Sequence, residues 1–170
     1  MTGCSAQAPA PTPPTTASPI RYGAPVVMEP RDGRAFAGQP CDLLSGPELL
    51  TLGLRAPGRQ RTSIDVQECS WRTASDGRLA MAVNAGRDLL VDTYRARVLP
   101  IFEPTTVEGM PAVRQRMRLD DNTCTVTTGL GPSEALETEW SGLMTRQTTD
   151  PCAKAEEAIA LVVRKLPPLR

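Results

Sequence analysis

The side chains that most enzymes use for acid–base chemistry are scarce in this sequence. It contains no histidine, which removes the commonest general base and the commonest zinc ligand. Only two lysines occur, Lys154 and Lys165, and both fall on the polar side of an amphipathic segment. Serines are present, but no Gly-x-Ser-x-Gly pattern surrounds one. We therefore expect no enzymatic activity, no cofactor and no metal, and a hydrolase with an unusual serine or carboxylate site is the weakest alternative.

The five cysteines carry the most informative spacing. Four of them, separated by 28, 55 and 28 residues, contain no Cys-x-x-Cys, so neither a zinc ribbon nor a thioredoxin-type motif is indicated. An even set of widely separated cysteines is typical of two disulfides formed in an oxidising compartment. Three connectivities are possible, and alternation places Cys69 and Cys124 on the inner face of a sheet. We expect the disulfides Cys41–Cys152 and Cys69–Cys124.

The fifth cysteine, Cys4, stands beside an uncharged stretch rich in Ala, Pro and Thr. Thr2-Gly3-Cys4-Ser5 resembles the end of a bacterial lipobox, in which a leucine-like residue, a small residue and Gly or Ala precede the lipidated cysteine. Met1 occupies the leucine-like position, so we expect a signal peptide upstream of it. The sequence therefore predicts lipidation of Cys4 and attachment to a membrane through that lipid.

Charged residues on two predicted strands could form a docking surface. Arg114, Arg116 and Arg118 alternate and so project from one face of one strand, and Glu137 and Glu139 are predicted to project from the corresponding face of a later strand. The surface would suit an anionic wall polymer or a protein partner. The alternative is a solvated sheet face with cross-strand charge pairs worth about 0.2–1 kcal/mol each.

Capping signals at Ser45, Asp88 and Asp150 predict three helices, with proline near the start of the first and the last. The Arg-, Gly- and Pro-rich stretch after Gly53 is predicted to be a loop. Alternation and turn residues predict strands at 67–73, 79–83, 105–108, 111–119, 123–128 and 135–141. The sum is an α+β fold, an antiparallel sheet of five or six strands with about three helices packed on one face.

Composition divides the chain into two parts. Residues 1–38 are too poor in hydrophobic side chains to build a core and are predicted to be a disordered tether, and residues 39–170 are predicted to be a single domain. The formal net charge is zero, from 19 basic and 19 acidic residues. That balance argues against nucleic-acid binding. We expect a monomer.

Several short motifs occur in a recognisable order. They are Pro40-Cys41-Asp42-Leu43-Leu44 with Leu52-Gly53-Leu54, Cys69-Ser70-Trp71, the segment from Thr105 to Val113, and Asp150-Pro151-Cys152 before the helix ending Leu166-Pro167. The series, spanning about residues 38–168, resembles the actinobacterial lipoprotein family known as domain of unknown function 3558. The resemblance implies secretion, a lipid anchor and paired cysteines, and it implies no activity and no catalytic residues.

These observations favour an exported cell-envelope lipoprotein on the outer face of the cytoplasmic membrane. We expect a non-enzymatic binding or scaffolding module whose partner is an envelope protein or a wall component. A small-ligand carrier or extracellular sensor is the alternative, and it requires a cavity larger than about 300 Å³.

Overall fold

A computed structural model of the protein describes residues 20–64, 66–142 and 150–170. The strands are Leu54–Ser63 (β1), Val66–Thr73 (β2), Arg78–Ala85 (β3), Ile101–Val107 (β4), Met110–Arg116 (β5), Thr123–Gly131 (β6) and Glu134–Ser141 (β7). The helices are Gly46–Thr51 (α1), Leu89–Ala96 (α2) and Pro151–Lys165 (α3), with 3₁₀ turns at Arg34–Phe36 and Pro40–Leu43. No described helix is long and apolar enough to cross a membrane.

The strands form one antiparallel sheet in the order β1-β2-β3-β7-β6-β5-β4. Strands β1 to β3 form one meander and β4 to β7 form another, and the two meanders join where β7 pairs with β3. The antiparallel α+β prediction is confirmed, but the sheet has seven strands rather than five or six. The additional strand is β1, which the sequence analysis predicted to be a loop.

The three predicted helices begin at the predicted caps. Ser45 and Glu48 form a reciprocal capping box at α1, and Asp88 accepts a hydrogen bond from the Val91 N–H at 3.1 Å. Asp150 accepts one from the Cys152 N–H at 3.1 Å, and Pro151 occupies the first turn of α3. Side-chain caps of this kind satisfy N–H groups that have no partner inside a helix, each stabilising the helix by about 1 kcal/mol.

The main core lies between α1 and α3 and one face of the sheet, here called the core face. Trp71, Met81 and Val126 contribute to it from three different strands and are fully buried. The helix α3 buries the apolar stripe predicted from its spacing, namely Ala155, Ala158, Ile159, Val162 and Val163. Burial of each large aliphatic side chain contributes about 1.5–3 kcal/mol.

The prediction that all helices pack on one face is wrong, because α2 lies on the opposite face. Leu90 of α2 packs with Val113, whose neighbour Ala112 points into the main core. Tyr94 of α2 meets Phe102 edge to face, with ring centroids 4.9 Å apart. The helix begins directly after β3 and leads to β4 at the far edge of the sheet, so its chain must cross the sheet, and it does so on the side opposite α3.

The predicted disulfide pairing is also wrong. The bridges are Cys41–Cys69 and Cys124–Cys152, with Cα–Cα distances of 5.0 and 5.1 Å. Cys69 and Cys124 do share the core face, but β3 and β7 lie between their strands. Three strand spacings of ~4.8 Å separate them by about 14 Å, twice the reach of a disulfide. In the chain-entropy account each observed bridge contributes about 3–4 kcal/mol.

Part of the predicted tether is ordered against the domain. The backbone N–H of Arg31 donates to the Leu130 carbonyl at 2.7 Å, and the Leu169 N–H donates to the Pro30 carbonyl at 2.9 Å. The N–H of Gly33 donates to the buried Glu134 carboxylate at 2.9 Å. Residues 20–38 are thus held by hydrogen bonds together with a few apolar contacts, such as those of Ala24, Val27 and Phe36, which composition does not reveal. The rest of the predicted tether lies outside the described residues.

Gly58 lies where β1 approaches the Cys41–Cys69 bridge. A Cβ at this position would overlap the Trp71 indole nitrogen and the Cys69 sulfur. Both atoms belong to buried groups that cannot shift without moving the sheet. We expect Gly58→Ala to lower the free energy of unfolding by about 1–3 kcal/mol, as overpacked cores do.

The matched control is Gly38→Ala, because a Cβ on Gly38 meets nothing within 4 Å. Urea unfolding followed by tryptophan fluorescence measures both variants under non-reducing conditions. Equal stability of the two variants would contradict the close approach of β1 to the bridge.

Candidate functional site: the open sheet face

The sheet face opposite the core face, here called the open face, is covered unevenly. Leu90 of α2 and Val27 pack closely on Gly129, over the part of the face formed by β5 and β6. Over β1, β2 and β3, no described helix packs on this face, although α2 also approaches β7, and the side chains of the face follow the pairing register. The uncovered part of the face consists of charged side chains that lie beside small residues such as Ala80 and Ala82.

Three arginines lie together at the β1 edge of the open face. Arg55 is paired directly with Arg72 across β1 and β2, and Arg59 is paired with Ser70 on the next row of the same face. All three are exposed, and none forms an ion pair with a carboxylate of the described residues. This group, here called the arginine cluster, places like charges within one cross-strand distance, about 5 Å between backbones. The guanidinium groups repel one another in such an arrangement, and a bound anion would reduce that repulsion.

A cleft opens where β2 and β3 separate. Their pairing ends at Glu68 and Ala82, although β3 continues to pair with β7 as far as Ala85. The resulting cavity, here called the strand cleft, has a volume of about 510 Å³. Its lining combines apolar side chains with polar ones, namely Ile64, Val66, Val83, Gln67, Asn84, Arg87 and Glu137. This size and mixture are typical of small-molecule sites.

Glu137 is the carboxyl group with the most unusual surroundings in the strand cleft. Its side chain reaches solvent, but the cleft walls displace much of the water around it, and this desolvation raises its pKa. The neighbouring carboxylates of Glu139 and Glu68 raise the pKa further, and Arg87 opposes them. Glu68 is neutralised by Arg61 at 2.8 Å and by Arg78 at 2.5 Å. Glu137 has no such ion pair among the described residues.

The predicted docking surface of arginines and glutamates does not exist as one surface. Arg114 pairs with Val126, whose side chain is in the main core, so the arginines of β5 point to the α3 side. Glu137 pairs with Thr127, whose β5 partner is Val113 of the opposite face. The true register is shifted by one residue from the one the sequence suggested, and a one-residue shift moves a side chain to the other face.

Each predicted arginine has a structural partner. Arg114 donates two hydrogen bonds to Glu156 of α3, at 2.6 and 2.7 Å, and this contact raises the pKa of the arginine. Arg116 lies 3.4 Å from the Asp150 carboxylate, and Arg118 lies 3.2 Å from that of Asp120. Arg114 and Arg116 therefore fasten α3 to the sheet rather than face a partner.

Cys4, the predicted lipidation site, lies outside the described residues.

A second cavity of about 320 Å³ lies beneath α2. Its lining includes Thr93 of α2 and Gln115 and Thr125 of the sheet. Gln115 is only 8% exposed. Within residues 20–64, 66–142 and 150–170, no three metal-ligating side chains converge on either cavity or elsewhere.

Comparison with known proteins identifies the family of this fold. A family model described as "Protein of unknown function (DUF3558)" matches residues 1–165, nearly the whole chain. The chain belongs to the DUF3558 family. No curated protein and no solved structure matched it. The family resemblance predicted from the motifs is thus confirmed for DUF3558.

Sequence reasoning missed the arginine cluster and the strand cleft of this DUF3558 protein. Arg55 and Arg59 lie in the stretch predicted to be a loop, and their shared face emerges only once β1 is recognised as a strand. The alternation of Arg59 and Arg61 was an available signal. The strand cleft had no signal in the sequence, because it depends on where two strands stop pairing.

The pKa of Glu137 leads to a prediction about stability. Because folding raises this pKa, the protonated side chain favours the folded state below the unfolded-state pKa, and that stability is lost as the pH rises through the folded-state pKa. We expect Glu137→Gln, which keeps the shape of the protonated side chain, to raise the Tm at about pH 7. At about pH 3, below the ordinary glutamate value of ~4.3, the difference should vanish.

The control is Glu29→Gln, which removes the same charge from an exposed residue with no ion pair among the described residues. Differential scanning calorimetry at both pH values measures the effect. A lower Tm of Glu137→Gln at neutral pH would show that the ionised carboxylate is favoured by the fold.

Proposed function

We propose that this chain is a non-enzymatic binding module of an actinobacterial cell envelope, exported and held on the outer face of the cytoplasmic membrane by a lipid on Cys4. The two disulfides are consistent with an extracytoplasmic domain, because such bonds persist in oxidising compartments. The lipobox-like residues around Cys4 support the anchor. In this proposal the open face is the part that meets the partner.

Mass spectrometry of the natural protein from a membrane fraction tests the anchor. We expect the N-terminal peptide to begin at Cys4 with a diacylglyceryl group on its sulfur, because lipidation and cleavage of such precursors occur at the same cysteine. A membrane-derived peptide that retains Thr2 and Gly3 before an unmodified Cys4 would contradict the anchor.

The partner that best fits the open face is a phosphate-bearing wall polymer, and the arginine cluster carries this proposal. Arg55, Arg59 and Arg72 present three guanidinium groups on one face without a compensating carboxylate among the described residues. Guanidinium groups bind phosphate oxygens in pairs and remain charged at every physiological pH. A chain of phosphates can reach all three.

A folded protein partner fits this part of the face less well. Stable protein–protein interfaces are built around buried aromatic or aliphatic anchors with a polar rim. Around the arginine cluster the neighbouring side chains on the open face are Ser70 on β2 and Arg78 and Ala80 on β3, none of which is such an anchor. A flexible polyanion requires only charge and hydrogen bonds, which this edge supplies.

A small-ligand carrier remains the second candidate, because the strand cleft exceeds the ~300 Å³ that this function requires. The hydrolase alternative has less support in the described residues. Arg34 lowers the pKa of Asp32 and Arg164 lowers that of Glu108, by hydrogen bonds in both cases, and burial raises the pKa of Glu137. These three carboxyl groups belong to different parts of the fold, namely the N-terminal segment, the β4–β5 turn and the strand cleft.

Binding of poly(glycerol phosphate) tests the polymer proposal. We expect Arg55→Gln/Arg59→Gln/Arg72→Gln to weaken binding at least tenfold. The slope of log affinity against log salt concentration should become smaller by about 2, since each lost phosphate contact contributes ~0.7 on a flexible single strand. Isothermal titration calorimetry over a range of salt concentrations measures both quantities.

The matched control is Arg95→Gln/Arg118→Gln/Arg170→Gln, which removes three positive charges elsewhere on the surface. It should bind the polymer almost as the wild type does. Equal losses in the two triple variants would mean that only net charge matters, and poly(glutamate) binding as tightly as poly(glycerol phosphate) would rule out phosphate recognition. Either result would contradict the proposal that the arginine cluster binds a phosphate-bearing polymer.

A further inference from the structure

The strand cleft contains two polar side chains that the fold leaves without a partner. Asn84 is only 6% exposed, lines the cleft, and its side-chain amide forms no hydrogen bond with a described residue. Glu137 lines the same cleft and forms no ion pair or side-chain hydrogen bond with a described residue. The Asn84 amide is thus open to the water of the cleft, and a ligand that enters the cleft can replace that water as its hydrogen-bond partner.

The charge of the cleft favours a cation. Glu68 and Glu137 line it, and Glu139 lies on the adjacent row of the same face. The arginines near these groups are largely engaged, since Arg61 and Arg78 neutralise Glu68, and Arg78 also lies 3.2 Å from Glu139. Arg87, at the exposed rim, is the remaining positive group. Glu137 is therefore the carboxylate of the cleft lining that forms no ion pair with a described residue.

The remaining walls are apolar. Val66 and Ile64 line one side of the cleft, and Ala82 and Ala85 line the other. A bare inorganic cation would leave these walls unused, and a neutral hydrocarbon would leave Asn84 and Glu137 unsatisfied. A carboxylate or phosphate ligand would meet the negative charge of Glu137.

We propose that the strand cleft binds a small organic ammonium ion, with the ammonium group at Glu137, a hydrogen bond to the Asn84 amide oxygen, and the apolar body between Val66 and Ala82. This site goes beyond the binding of a wall polymer, since it lies outside the arginine cluster and shares no residue with it. It gives the domain a second specificity, for an amine rather than an anion.

Titration of the ¹⁵N-labelled chain with hexylammonium, followed by ¹H–¹⁵N correlation NMR, tests this site. We expect saturable shifts of the Asn84 side-chain amide and of the Val66 and Ala82 backbone amides. The dissociation constant should be about 1 mM, as efficient contacts allow for a ligand of this size. Hexanol and hexanoate have the same apolar body without the ammonium group and should bind at least tenfold more weakly.

Charge variants sharpen the test. Glu137→Gln should weaken hexylammonium binding at least tenfold, Arg87→Gln should strengthen it several-fold by removing the rim charge, and the control Glu29→Gln should leave it unchanged. Affinity should fall on acidification through the pKa of Glu137, which the opposing effects of Glu68, Glu139 and Arg87 leave above the ordinary value. Hexanol binding as tightly as hexylammonium, or unchanged affinity in Glu137→Gln, would overturn the proposal.

The two proposals fail separately. Arg55→Gln/Arg59→Gln/Arg72→Gln should retain hexylammonium binding, and Glu137→Gln should retain poly(glycerol phosphate) binding. Loss of both ligands in either variant would mean that one site serves both, and would contradict a separate amine site.

Discussion

The insertion of β7 between β3 and β6 is the constraint on which the rest of the structure depends. This last strand joins two meanders into one sheet, and its register fixes which side chains of both meanders share a face. It also separates Cys69 from Cys124 by three strand spacings, so each cysteine must find its partner in its own half of the chain. The disulfides, the two faces and the strand cleft all follow from that one pairing.

The local structure could be predicted from the sequence because local residues determine it. Ser45, Asp88 and Asp150 mark the starts of the helices by their own hydrogen bonds, and alternation marks the strands β2 and β3. β1 was not predicted because this exposed edge strand contains Pro57 and Gly58 and very little hydrophobic content, which left the alternation of its arginines as a weak signal. The disulfide pairing and the docking face failed for a different reason, since both depend on strand order and register, which are set by contacts far apart in the chain.

Basic and acidic side chains occupy different parts of the open face, although the net charge of the chain is zero. Its basic groups gather on the outer strands β1 and β2, and its acidic groups gather on β2 and β7 toward the centre of the sheet. Arg61 and Arg78 form ion pairs with Glu68 at the boundary, and such pairs contribute little to stability at a surface. These ion pairs lie between the arginine cluster and the strand cleft and so separate the two proposed binding regions.

The Cys41–Cys69 bridge also has a mechanical consequence. Beyond the hydrogen bonds that hold residues 20–38, a pull on the chain from its N-terminal side reaches Cys41 before it reaches β1. From there the covalent bridge passes the load directly to the middle of β2, the strand that carries Arg72. β1 and the hydrogen bonds that hold it are bypassed. A polymer bound at Arg72 would thus be linked to the N-terminal segment through covalent bonds, and tension between the two could be borne without unfolding the domain.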